Sequence, residues 1–130
     1  MKTYESNAYF WQKLDSLLSS SGFKIIRHPG DIHPDFSNLS YPTDYGYLND
    51  TKSTSGEGIS IYHGTAANGT INGVVVGVDI LSKELDAKLI YECTKEEEEK
   101  VLHFLNQTNF MKTVLIRRDN EIPGWALTDD

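Results

Sequence analysis

Tyr41, Tyr45 and Tyr47 place three phenolic hydroxyls close together, and Ser55-Gly56-Glu57-Gly58-Ile59-Ser60 follows with one carboxylate between two glycines and a serine at either end. Tyrosine hydroxyls donate to oxyanions, and glycines let a loop turn tightly with its N–H groups exposed, so these stretches suit the holding of an anion. The same tyrosines fit a plainer role, capping a core with bonded hydroxyls. Further on, Asp86-Ala87-Lys88 sets a carboxylate two residues from an ammonium. His28, Asp31, His33 and Asp35 are close enough in sequence to ligate Zn²⁺ or another transition metal. Their spacing is irregular and interrupted by proline, which favours a surface loop.

Tyr41-Pro42-Thr43-Asp44-Tyr45-Gly46-Tyr47-Leu48 resembles the Tyr-Pro-x-x-Tyr-Gly-Tyr-Ile segment of soluble family I inorganic pyrophosphatases, with a Thr and a Ser following at the family spacing. Where that family reads Asp-Gly-Asp-Pro-x-Asp, this chain has Ser55 and Ser60 in place of two aspartates and Glu57 in place of the third. Val76-Gly77-Val78-Asp79-Ile80 followed by Asp86-Ala87-Lys88-Leu89 is similar to the family's Val-Gly strand leading to Asp-x-Lys. The resemblance spans roughly residues 24 to 117 and is sharp over Tyr41 to Thr51 and Asp86 to Leu89. It implies a small antiparallel OB-like β-barrel with helices packed outside.

The resemblance also implies Mg²⁺-dependent hydrolysis of pyrophosphate or a related phosphate compound. Glu57 and Asp86 would hold the metal, with Glu57 also the base toward the attacking water. Tyr45, Lys88 and Arg27 would hold phosphate, and Lys112 would replace a lysine that the family places after a His-Phe pair matched by His103-Phe104. Glu57, Asp86, Lys88 and Tyr45 are then the catalytic set. Pyrophosphate hydrolysis needs several carboxylates converging on paired Mg²⁺ ions. With two of them replaced by serine, Mg²⁺ is expected to bind weakly and together with substrate, and turnover to be slow. The alternative keeps the fold as a binding module for a small phosphate-containing ligand or a protein partner, without catalysis. A third reading, a single-strand nucleic-acid binder using Tyr41, Tyr45, Tyr47 and Tyr62 as stacking surfaces, is opposed by the chain's charge.

That charge is −7, which disfavours nucleic acid and anionic lipid as partners. The 130 residues are 38% hydrophobic and 24% charged, enough for one domain with its own core. Cys93 stands alone, so neither an intramolecular disulfide nor a cysteine metal framework exists. Without an apolar segment of signal or membrane-span length, the expected location is the cytoplasm. A homo-oligomer is left open.

The elements that must position these groups read as α+β. Residues 6 to 21 predict a helix, with Ser6 as N-cap, Phe10, Trp11, Leu14, Leu17 and Leu18 on one face, and Gly22 as the stop. Strands are expected over 23–27, 59–63, 71–81, 87–93 and 112–118, with a long loop from 28 to 58. Gly73 and Gly77 are candidate bulge points. Residues 59 to 63 read as half-buried, and the short loop before 87 predicts antiparallel pairing. Thr94-Lys95-Glu96-Glu97 is a capping box that opens a helix to about Gln107, its acidic run Glu96 to Glu99 a solvated first turn. A barrel core over 23–118 and an irregular tail over 119–130 complete the expected domain.

Overall fold

The computed structural model describes residues 7–53 and 56–118. Two helices and six strands follow in the order α1 (Ala8–Ser21), β1 (Phe23–Arg27), β2 (Asp44–Leu48), β3 (Ser60–His63), β4 (Ile71–Asp79), β5 (Glu84–Tyr91), α2 (Lys95–Leu105) and β6 (Met111–Arg117). Asn7 caps α1, its side-chain oxygen accepting from the Phe10 N–H at 3.1 Å, while Ser6 lies outside the described residues. Gly22 ends the helix at φ 67°, its N–H bonded to the Leu18 carbonyl, as its position predicts. The capping box at Thr94 and Glu97 is present in both directions.

The strands form one sheet in the order β1-β2-β3-β5-β4-β6. Every pairing is antiparallel except β3 with β5, which run parallel. The expected antiparallel barrel is therefore corrected to an open mixed sheet among the described residues. Strands β1 and β6 stand at the two ends of the order and do not pair with each other, so the sheet does not close. The two faces are also separately covered, which a closed barrel interior does not allow.

Neighbouring residues in a strand point to opposite faces. Ile61, Val74 and Leu89 pack with Trp11 and Leu18 of α1 in one core. Tyr62, Val75 and Ile90, one position further on, pack with Val101 and Leu105 of α2 in another. Ser60, Ile61 and Tyr62 are consequently all buried, so β3 is not the half-buried strand its alternation suggests. Strand β2 was expected to be loop. Its central Gly46 is required because a Cβ there would collide with the Lys24 carbonyl of β1. Strand β5 starts three residues earlier than its pattern predicts, with Lys83 taking a positive φ in the turn.

A shift of register falls between Ile71 and Gly73, at the first of the two expected bulge points. Asn72, in that irregularity, bonds Cys93 through both its amide groups and donates to the Glu98 carboxylate at 2.7 Å. Arg117 donates to the other Glu98 oxygen at 2.6 Å. Glu98 is thus 5% exposed and pins α2 to the sheet, a correction to the solvated acidic turn, which holds for Glu96 and Glu99. Burial pushes the Cys93 thiol up to about 12, so it is an inert core residue. No described helix is long and apolar enough to cross a membrane.

Candidate ligand-binding site

Residues i and i+2 of a strand share a face, so Tyr45 and Tyr47 of β2 both project toward the α2 side, across from Tyr62 and Ser60 of β3. Their hydroxyls form a chain. Tyr45 Oη lies 3.1 Å from Ser60 Oγ, Tyr45 reaches Tyr47 over a long 3.4 Å, and Tyr47 donates to Glu57 Oε2 at 2.5 Å. Burial first, then the Glu57 carboxylate that accepts its proton, raises the Tyr47 pKa far above the ordinary tyrosine value. Tyr47 stays protonated and donates.

The loop that carries Glu57 closes on itself. Gly56, at φ 84°, donates its N–H to the Ser53 carbonyl, and Ser53 bonds the Glu57 carbonyl through its backbone N–H and its hydroxyl. The Gly56 N–H expected to meet an anion is therefore used internally. Gly58 is required for packing, since a Cβ there would crowd the Leu48 carbonyl and Tyr47. Ser60 is 6% exposed and bonded to Tyr45, whereas Ser55 lies outside the described residues.

Asp86 and Lys88 share a face of β5, with Nζ to Oδ2 at 2.9 Å and side chains 22% and 18% exposed. Lys88 lines a cavity of about 250 Å³ whose floor includes Tyr45 and Tyr62. Over it lie His33, Phe36 and Tyr41 from the segment between β1 and β2, with Phe104 and Phe110 from the end of α2 and beyond. Lys88 and Tyr45 thus line one cavity. Arg27 pairs with Tyr45 across β1 and β2, and its side chain hydrogen-bonds the Tyr41 hydroxyl. That bond partly offsets burial and the neighbouring Tyr45, which raise the Tyr41 pKa. Arg27 therefore stands behind the wall, not in it. Lys112 does not join Lys88: it is exposed and donates to the Asn106 carbonyl at 3.0 Å, at the C-terminal end of α2.

The four residues of the His/Asp loop have separate uses. Asp31 accepts from the His28 backbone N–H at 2.7 Å, and the His28 ring lies 3.0 Å from Asp44. His33 Nδ1 accepts from the Asp35 N–H at 3.0 Å, while its ring stacks nearly parallel on Tyr41. Burial lowers the His33 pKa and Arg27 adds to this, against the opposing pull of Asp35. His33 is a cavity wall rather than a metal ligand, a role its sequence spacing does not signal. Asp79, Phe36 and Phe110 also line the cavity with no signal in the sequence. Tyr41 and Tyr62 are buried and packed against other rings, so these two offer no open stacking surface to a nucleic-acid strand.

Glu57 and Asp86 are the two carboxylates on which Mg²⁺ would depend. Each already holds a donor, Tyr47 and Lys88 respectively, and among the described residues no group of three His, Cys, Asp or Glu side chains could hold a metal ion. A resident Mg²⁺ would have to displace both donors, with no third such ligand beside them among the described residues.

No family model matches the chain, and no curated protein matches its sequence. Among solved structures, the inorganic pyrophosphatase of Helicobacter pylori is similar over 73% of this chain and 79% of its own, at a TM-score of 0.47 and 14% identity. What the site can do is decided by its own side chains.

Proposed function

We propose that this chain is a binding module for a small phosphate-containing ligand, held in the cavity beneath residues 33–41 by Lys88 and Tyr45. The observation that carries this is the position of Lys88. Its side chain is only 18% exposed and lines the cavity beside Tyr45, and its ammonium has donors left beyond the bond to Asp86. A withdrawn ammonium attracts a phosphate more strongly than a solvated one, because the local dielectric is lower. Arg27 supports the site from behind by orienting Tyr41.

Slow pyrophosphate hydrolysis is a second reading, favoured by the hydroxyl chain. Tyr45 touches the cavity and is linked through Tyr47 to Glu57, so Glu57 would receive a proton from the cavity through two tyrosines. The 3.4 Å link makes this a poor conduit as it stands.

Calorimetric titration with phosphate and with pyrophosphate tests the proposal. Lys88→Ala should weaken either ligand by roughly 1.5–3 kcal/mol, the value of a charge-assisted hydrogen bond, while changing stability little. Equal affinity in the folded variant and the wild type would remove the phosphate site.

A further inference from the structure

From the lining of the cavity we infer that its ligand is a nucleoside monophosphate rather than an inorganic phosphate or pyrophosphate. This inference rests on the phosphate-binding reading above. Three features of the lining carry it. First, Phe36, Phe104 and Phe110 line the same space as Lys88 and are each only partly buried, so aromatic surface faces the space that Lys88 enters. A bare phosphate is strongly hydrated and gains nothing from such a wall, whereas a heteroaromatic base releases water from it.

Second, the carboxylates Asp35 and Asp79 also line the cavity. They repel a small anion that fills the space, but they accept hydrogen bonds from a sugar hydroxyl or an exocyclic amino group. Third, Lys88 is the one ammonium in the lining, which matches one phosphate better than two or three. The room of about 250 Å³ lies just under the roughly 300 Å³ at which drug-sized pockets begin, which suits a mononucleotide and is too small for a dinucleotide. The chain's acidity, which disfavours a polyanionic strand, is no barrier to one phosphate held locally.

The test is a set of titrations of the wild type with AMP, adenosine, inorganic phosphate and pyrophosphate, followed by the same set on Lys88→Ala and Phe104→Leu. AMP is expected to bind at least tenfold more tightly than any of the other three. Lys88→Ala should weaken AMP about ten- to a hundredfold, and Phe104→Leu should weaken AMP several-fold and by more than it weakens phosphate. Should Phe104→Leu lose stability in a thermal melt, Phe36→Leu, on the loop between β1 and β2, supplies the same comparison. If phosphate or pyrophosphate binds as tightly as AMP, with the Lys88 dependence intact, the nucleotide inference fails and the phosphate-binding reading stands. If adenosine binds as tightly as AMP, or nothing with a phosphate binds, both fail.

Discussion

The two faces of the sheet are built from the same strands and do different work. On the α1 face, Ile61, Val74 and Leu89 meet Trp11 and Leu18 in an apolar core without a titratable group in the cluster. On the α2 face, the neighbouring strand positions carry Ser60, Tyr62 and Lys88, the packing includes hydroxyls and a buried Glu98, and a cavity is left open. The two sides of one sheet thus carry differently composed clusters, apolar under α1 and rich in phenolic hydroxyls under α2.

Trp11→Ala is the strongest way to break that division. Removing a fully buried indole from the α1 core should cost about 3–5 kcal/mol in denaturant unfolding, with ligand affinity unchanged in whatever fraction stays folded. Affinity that falls in step with stability would mean the faces are not independent.

Ser60→Asp probes the other face. Its hydroxyl is buried against Tyr45, so a carboxylate there should destabilise the fold by about 1–3 kcal/mol. A melting temperature restored by Mg²⁺ would instead show that the loop still converges on a metal. Ser55, its expected partner in such a site, lies outside the described residues.

A smaller effect belongs to the α1 face and to acid. Glu92 accepts from the Gly69 N–H and from His63, both at 2.7 Å, and those bonds, the Gly69 one first, lower its pKa. Its stabilisation is present above the ordinary glutamate value of about 4.3 and is lost as pH falls through the lowered folded value. Glu92→Gln should therefore flatten the acid limb of a stability-versus-pH curve. An unaltered limb would assign acid unfolding to other carboxylates. The smallest expected effect is that of Mg²⁺ on the ligand-free wild type: no heat in a titration and no shift in melting temperature, because Glu57 and Asp86 are each already paired.

Local signals were read correctly where the physics is local. The Gly22 stop, the Thr94 capping box and the bulge at Gly73 depend on residues a few positions apart and stand where their patterns put them, and β4 and β5 pair antiparallel as expected although their turn lies earlier than predicted. The meeting of Lys88 with Tyr45 was legible through motifs, not periodicity. Strand β2 was not, because its tyrosines and glycine read as loop chemistry. Lys112 lies away from the cavity that Lys88 lines because the Asn106 carbonyl, six residues earlier at the end of α2, holds its ammonium.

Both helices, every strand but β2, the Gly22 stop, the Thr94 capping box, the acidic balance and the candidate ammonium and hydroxyl groups follow from the sequence, since each depends on spacing or residue chemistry over a short span. Only the tertiary structure decided that the end strands β1 and β6 do not pair, which leaves the sheet open, and that both faces are covered, which buries Ser60 with Ile61. It also brought His33, Lys88, Phe104 and Phe110 around one space. Those outcomes depend on which distant segments compete for the same edge or the same apolar surface, and no local pattern records the result of that competition.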